Sequence, residues 1–112
     1  MVQGNEKEGK EASEILDTSV LIEGKEGLAT IFSIIEFPPA DKYCKILFPN
    51  KEDFKTALDI AWKLRDIGKP IGAIDILNAS ICMNRDLSLI TEDEDYENIM
   101  LIEPKFKLKL VK

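Results

Sequence analysis

The stretch Pro70 to Tyr96, PIGAIDILNASICMNRDLSLITEDEDY, constrains the fold of this chain more than any other. Ile74, Leu77, Ile81 and Met83 recur at near-helical spacing, which predicts a helix with a buried face and with Asp75 in its first turn. Asn84-Arg85-Asp86 breaks that pattern, and Leu87 to Thr91 alternates apolar and small polar residues as a short strand does. The run TEDED ends the strand, so Asp93 and Asp95 fall in a strand-to-helix loop. Helix, turn, strand and acidic loop are half of an α/β unit and half of a candidate metal site.

The remaining elements extend the alternation. Ile15-Leu16 predicts a short strand buried on both faces and ended by Asp17, and Thr18 or Ser19 can cap a helical turn through Leu21 and Ile22. Gly24 and Gly27 bracket a tight connection, and Leu28 to Ser33 reads as a second strand. Ser33 and Glu36 stand at capping-box spacing. Pro38-Pro39 bends the chain, Ala40 to Lys45 is a short helix or turn, and Ile46 to Phe48 is a third strand. Asn50 caps the clearest helix, Lys51 to Ile67, which Gly68 stops. Its expected core stripe is Phe54, Ala57, Leu58, Ala61, Trp62 and Arg65, flanked by Leu64, with Trp62 as a core anchor. Ile99 to Ile102 reads as the final strand. The lysine-rich end, where Phe106, Leu108 and Leu110 alternate with Lys105, Lys107 and Lys109, suits an edge strand or a solvated tail.

Strands alternating with helices imply an α/β fold: a parallel sheet with right-handed crossovers, covered on both sides. Residues 1–13 are charged and poor in large apolar side chains, which predicts a disordered tail; residues 14–112 form a single domain, long enough for one core without a disulfide. Cys44 and Cys82 sit in apolar contexts and are expected as free thiols of a soluble cytoplasmic protein. No apolar run approaches a membrane span.

The chain contains no histidine, which removes imidazole acid–base chemistry and His-ligated zinc. Chemistry must then run on carboxylates, which suit hard cations such as Mg²⁺ or Mn²⁺. The net charge of −6 gives no bulk attraction to nucleic acid. In open parallel sheets, functional groups gather beyond the carboxyl ends of the strands where strand order reverses. Asp17, Glu36, Asp75 and Asp93 all fall on that predicted edge. Each alone has a bland reading as a helix-start or loop acid. Four converging carboxylates repel one another, a conflict that a divalent cation resolves.

ILDTSVLIE, TIFSIIEF, PIGAIDILNASI and LSLITEDEDYENI resemble, in order, the successive motifs of the PIN-domain ribonuclease family, over about Ile15 to Ile102. The resemblance implies a Rossmann-like, three-layer fold around four to five parallel strands, homodimerisation, and Mg²⁺- or Mn²⁺-dependent cleavage of RNA. It also implies similarity to VapC toxins, which an antitoxin protein holds in check. By motif, Asp17, Glu36, Asp75 and Asp93 match the catalytic and metal-binding acids, and Asp95 matches a less regular one. Thr18, Ser19 and Thr91 match the small hydroxyl positions beside them. Two departures are a short segment between Asp17 and Glu36 and a chain with only two arginines, Arg65 and Arg85. The short segment and the acidic surface favour, as the alternative, a PIN-like module that binds metal or a protein partner without efficient catalysis.

Overall fold

The computed structural model describes residues 13–111. Five strands, β1 (Glu14–Leu16), β2 (Gly27–Thr30), β3 (Cys44–Leu47), β4 (Ser88–Thr91) and β5 (Leu108–Leu110), form one sheet in the order β3-β2-β1-β4-β5. Every neighbouring pair is parallel. The helices are α1 (Thr18–Leu21), α2 (Ile31–Glu36), α3 (Lys51–Asp66), α4 (Ala73–Asn84) and α5 (Glu97–Ile102), with 3₁₀ turns at Pro38–Lys42 and Glu94–Tyr96.

Successive strand residues point to opposite faces, and the two cores divide accordingly. Ile15, Leu28 and Leu89 pack with Ala57, Ile60 and Leu64 of α3, Ile76 and Ala79 of α4, and Ile99 of α5. Leu16, Ala29 and Ile90 pack with Val20, Leu21, Ile34 and Ala40 on the other side. This three-layer α/β arrangement is the one expected, and it explains why the central strands read as continuous apolar runs.

Several local expectations are corrected. The second strand stops at Thr30, not Ser33. The Thr30 hydroxyl accepts the Ser33 N–H and caps α2, so Ser33 lies inside the helix and Glu36 at its last position. Neither Thr18 nor Ser19 caps α1; Asp17 holds the N-cap position without a side-chain capping bond. Ile99 to Ile102 belongs to helix α5, and the fifth strand comes from the lysine-rich end, Leu108–Leu110. The 3₁₀ turn after β4 starts a helical path, and the alternating segment beyond it pairs along the edge of β4 away from β1. On α4, Ile74, Leu77 and Met83 are only half-buried, whereas Ile76, Ala79 and Cys82 are buried, because α4 is pressed between α3 and the sheet.

Of the stripe expected to anchor α3, Ala57 and the flanking Leu64 are buried and Ala61 half-buried, but its large side chains and Arg65 face outward. Phe54, Leu58 and Trp62 are 51%, 63% and 60% exposed, while Asp53, Ala57, Ile60 and Leu64 line the inner face. Both stripes repeat at helical spacing, so periodicity could not choose between them. What orients the helix is a buried polar anchor. Asp53 completes a capping box with Asn50, and its carboxylate takes Nδ2 of Asn84 at 2.9 Å and Arg85 at 3.1 Å. Both Cys44 and Cys82 are free, as expected. The expected tail lies, apart from Ser13, outside the described residues. Ser13 itself receives the Ser88 N–H on its carbonyl at 3.0 Å.

Candidate metal centre

Register sets the site. Ile15 pairs with Leu28 and Leu16 with Ile90, so two and one residues on, Asp17 stands level with Thr30 and Thr91. The chain runs from β1 outward through β2 to β3, then returns to β4 on the other side of β1. The β1/β4 junction is therefore the switch point where such sheets open a crevice. Asp17 and Thr91 occupy it, and the Asp17 N–H still donates to the Ile90 carbonyl at 2.9 Å.

Hydroxyls hold the Asp17 carboxylate, which is 7% exposed. Thr91 Oγ1 donates to Oδ2 at 2.7 Å, Ser19 Oγ reaches the same oxygen at 3.3 Å, and the Tyr96 hydroxyl lies 3.3 Å from Oδ1. Thr91 also accepts the Asp93 N–H at 3.0 Å, and Ser19 accepts the Glu92 N–H at 3.0 Å, which fastens the acidic loop to α1. Asp75, in the first turn of α4, faces the same Tyr96 hydroxyl at 3.1 Å. Thr18 donates to Glu36 at 2.5 Å, drawing this exposed acid at the C-terminal end of α2 toward α1. A helix C-terminus disfavours an anion, so the bland reading of Glu36 as a helix-start residue does not hold. Asp93 caps the 3₁₀ turn by accepting the Asp95 N–H at 2.9 Å; Asp95 itself is exposed.

Asp17, Glu36 and Asp93 thus lie at the same end of the sheet as Asp75, near enough for their charges to reach its carboxyl. The Asp75 carboxyl is pushed up to about 6 by burial above all, and the negative charges of Asp17, Asp93 and Glu36 add to the shift against the Tyr96 hydrogen bond. Carboxylates under mutual repulsion in a half-dry crevice are chemically suited to a hard divalent cation. Among the described residues, however, no three acids already stand together as a formed metal cluster. Tyr96 separates Asp17 from Asp75, and Thr18 engages Glu36.

Sequence reading missed Tyr96, Asn78 and Thr30, all at most 1% exposed beside the acids. The signal available was a lone Asn in the apolar helix run ILNASI.

The fold matches solved structures. Chains of a DNA-bound VapBC from Salmonella typhimurium, of VapBC-1 from nontypeable Haemophilus influenzae and of VapBC2 from Rickettsia felis, bound to a promoter DNA fragment, superpose with TM-scores of 0.71, 0.67 and 0.67. They cover 88%, 87% and 87% of this chain and 97%, 96% and 97% of their own, at 16%, 16% and 14% identity. The fold is PIN-like. No protein-family model and no curated protein matches the sequence. Within this PIN-like fold the segment from β1 to β2 carries only the single turn of α1, consistent with the short spacing in the sequence. No helix among the described residues is long and apolar enough to cross a membrane.

The raised Asp75 carboxyl has a consequence for stability. In the unfolded chain it returns to about 3.8, so the folded state binds its proton more tightly. Stability is therefore lost as pH rises from about 4 through about 6, and the deficit is complete above that. Metal-free Asp75→Asn should melt at or above the wild-type temperature at pH 7. The difference should close as pH falls toward 4. A variant melting below wild type at pH 7 would show that Asp75 is a stabilising anion rather than a crowded one.

Proposed function

We propose that this chain is a metal-dependent endoribonuclease, the toxin of a VapBC-type toxin–antitoxin pair. The observation that supports the reading is that Asp17, at the β1/β4 switch point, shares the Thr91 hydroxyl with the Asp93 N–H and the Tyr96 hydroxyl with Asp75, while Thr18 draws Glu36 toward the same end of the sheet. In this reading these four residues, with Asp95 at the rim, hold Mg²⁺ or Mn²⁺. When bound, the cation activates water and offsets charge on a phosphodiester. Thr91 and Ser19 orient the Asp17 carboxylate, and Thr18 positions Glu36. Thr30, Asn78 and Tyr96 are buried beneath Asp17 and Asp75, so in this reading RNA would approach the acids from the solvent side. An antitoxin protein and a second copy of the chain are the partners this reading entails, and the outward apolar stripe Phe54-Leu58-Trp62 is surface that such partners would cover.

The decisive assay is incubation with structured and single-stranded RNAs, with Mn²⁺ or with chelator. Cleavage is expected only with metal. A second reading, a PIN-like module that binds metal or a partner without efficient catalysis, is favoured by the acids not already forming a three-residue cluster among the described residues. Mn²⁺ binding with every RNA left intact would select it.

A further inference from the structure

The acids do not account for Tyr96. Its ring is fully buried and packs on Phe106 with centroids 6.3 Å apart, a role that needs no hydroxyl. Yet the hydroxyl stands between two carboxylates from different elements, 3.1 Å from Asp75 Oδ1 and 3.3 Å from Asp17 Oδ1. Behind it, Asn78 Nδ2 lies 3.4 Å away, and Asn78 Oδ1 accepts the Thr30 hydroxyl at 2.5 Å. Thr30 in turn is the cap of α2.

The donor count gives this relay a direction. Thr30 occupies the Asn78 carbonyl, so the amide can offer only N–H to Tyr96. The phenol then accepts from Asn78 and has one proton to place, and the groups remaining in reach are the two carboxylates. No buried side-chain polar atom among the described residues is left without a hydrogen-bond partner. We propose that Tyr96 is a positioning residue whose hydroxyl, aimed by Asn78 and Thr30, sets the separation and orientation of Asp17 and Asp75 for a shared divalent cation. This rests on the metal-centre reading above and gives a part to Tyr96, to which the motif LSLITEDEDYENI assigned none.

Groups that orient metal-binding side chains typically govern affinity by about 10- to 100-fold. Tyr96→Phe keeps the ring and its packing and deletes only the hydroxyl. Mn²⁺ affinity, read from the electron paramagnetic resonance signal of free Mn²⁺, should fall by at least about 10-fold in this variant. Its melting temperature should stay within about 5 °C of wild type. Asn78→Ala, which keeps the phenol but removes the group that aims it, should weaken Mn²⁺ binding in the same direction. Asp75→Asn is the control for the site itself. If Asp75→Asn loses Mn²⁺ while folded Tyr96→Phe and Asn78→Ala bind it as wild type does, the role of Tyr96 is refuted and the metal centre stands. If wild type binds no Mn²⁺, or Asp75→Asn binds it undiminished, the metal centre fails and the role of Tyr96 falls with it.

Discussion

Asp17→Asn is expected to lower metal-dependent RNA cleavage by at least about 100-fold while the protein remains folded. Asp17 stands at the switch point of the sheet, where three hydroxyls converge on its two oxygens. The substitution keeps the shape and one acceptor oxygen but removes the negative charge that a cation would need. Thr91 and Ser19 carry rotatable hydroxyls, so they can turn to accept from the new amide. The structural cost should therefore be about 1 kcal/mol, the scale of a single rearranged hydrogen bond. Circular dichroism and denaturant melts would establish folding, and gel assays with and without chelator the cleavage. Equal cleavage by wild type and Asp17→Asn would mean that the activity lies at another site or in a contaminant.

The second large effect belongs to stability alone. Asp53→Ala should cost about 3 kcal/mol, read as a lowered urea midpoint. Asp53 is fully buried, and its carboxylate joins the start of α3 to the end of α4 through Asn50, Asn84 and Arg85. Removing it breaks the α3 capping box and, among the described residues, leaves the Arg85 guanidinium with the carbonyls of Ile81 and Phe48. Breaking a buried pair from one side exposes the full desolvation cost of the other. Arg85 is 26% exposed, and the water it reaches keeps the loss at the lower end of that range. A cost below about 1 kcal/mol would show that apolar packing orients α3 without this anchor.

Asp53 also shows why the inner face of α3 was not legible in the sequence. An Asp three residues after an Asn reads as a cap at a helix surface. Its burial depends on Asn84 and Arg85, which lie 31 and 32 residues further along the chain. Phe54, Leu58 and Trp62 form as good a helical stripe as Ala57, Ile60 and Leu64, and turning the helix from one to the other is a tertiary choice. The displaced last strand has a similar origin. Ile99 to Ile102 is apolar enough for a strand, but the chain leaves β4 through the Glu94–Tyr96 turn already winding as a helix. The open edge of β4 then falls to Leu108–Leu110.

By itself, the sequence determined the alternation of strands and helices, the cap and stop of α3, and the acids that follow strand ends. Those features are local: Gly68 adopts a positive φ of 74° and its N–H donates to the Arg65 carbonyl, while the Lys69 N–H donates to the Leu64 carbonyl, which closes α3 as the position of Gly68 implied. Asp17 directly after an apolar strand and Asp93 after LSLIT needed only a parallel sheet to bring them to one edge. The layer beneath the acids was a tertiary decision. Thr30, Asn78 and Tyr96 come from β2, α4 and the turn after β4, and each alone reads as an ordinary polar residue in an apolar run. Only when the sheet closes β1 between β2 and β4 do their hydrogen bonds meet under Asp17 and Asp75, because a buried hydroxyl or amide must find its partner wherever the fold supplies one.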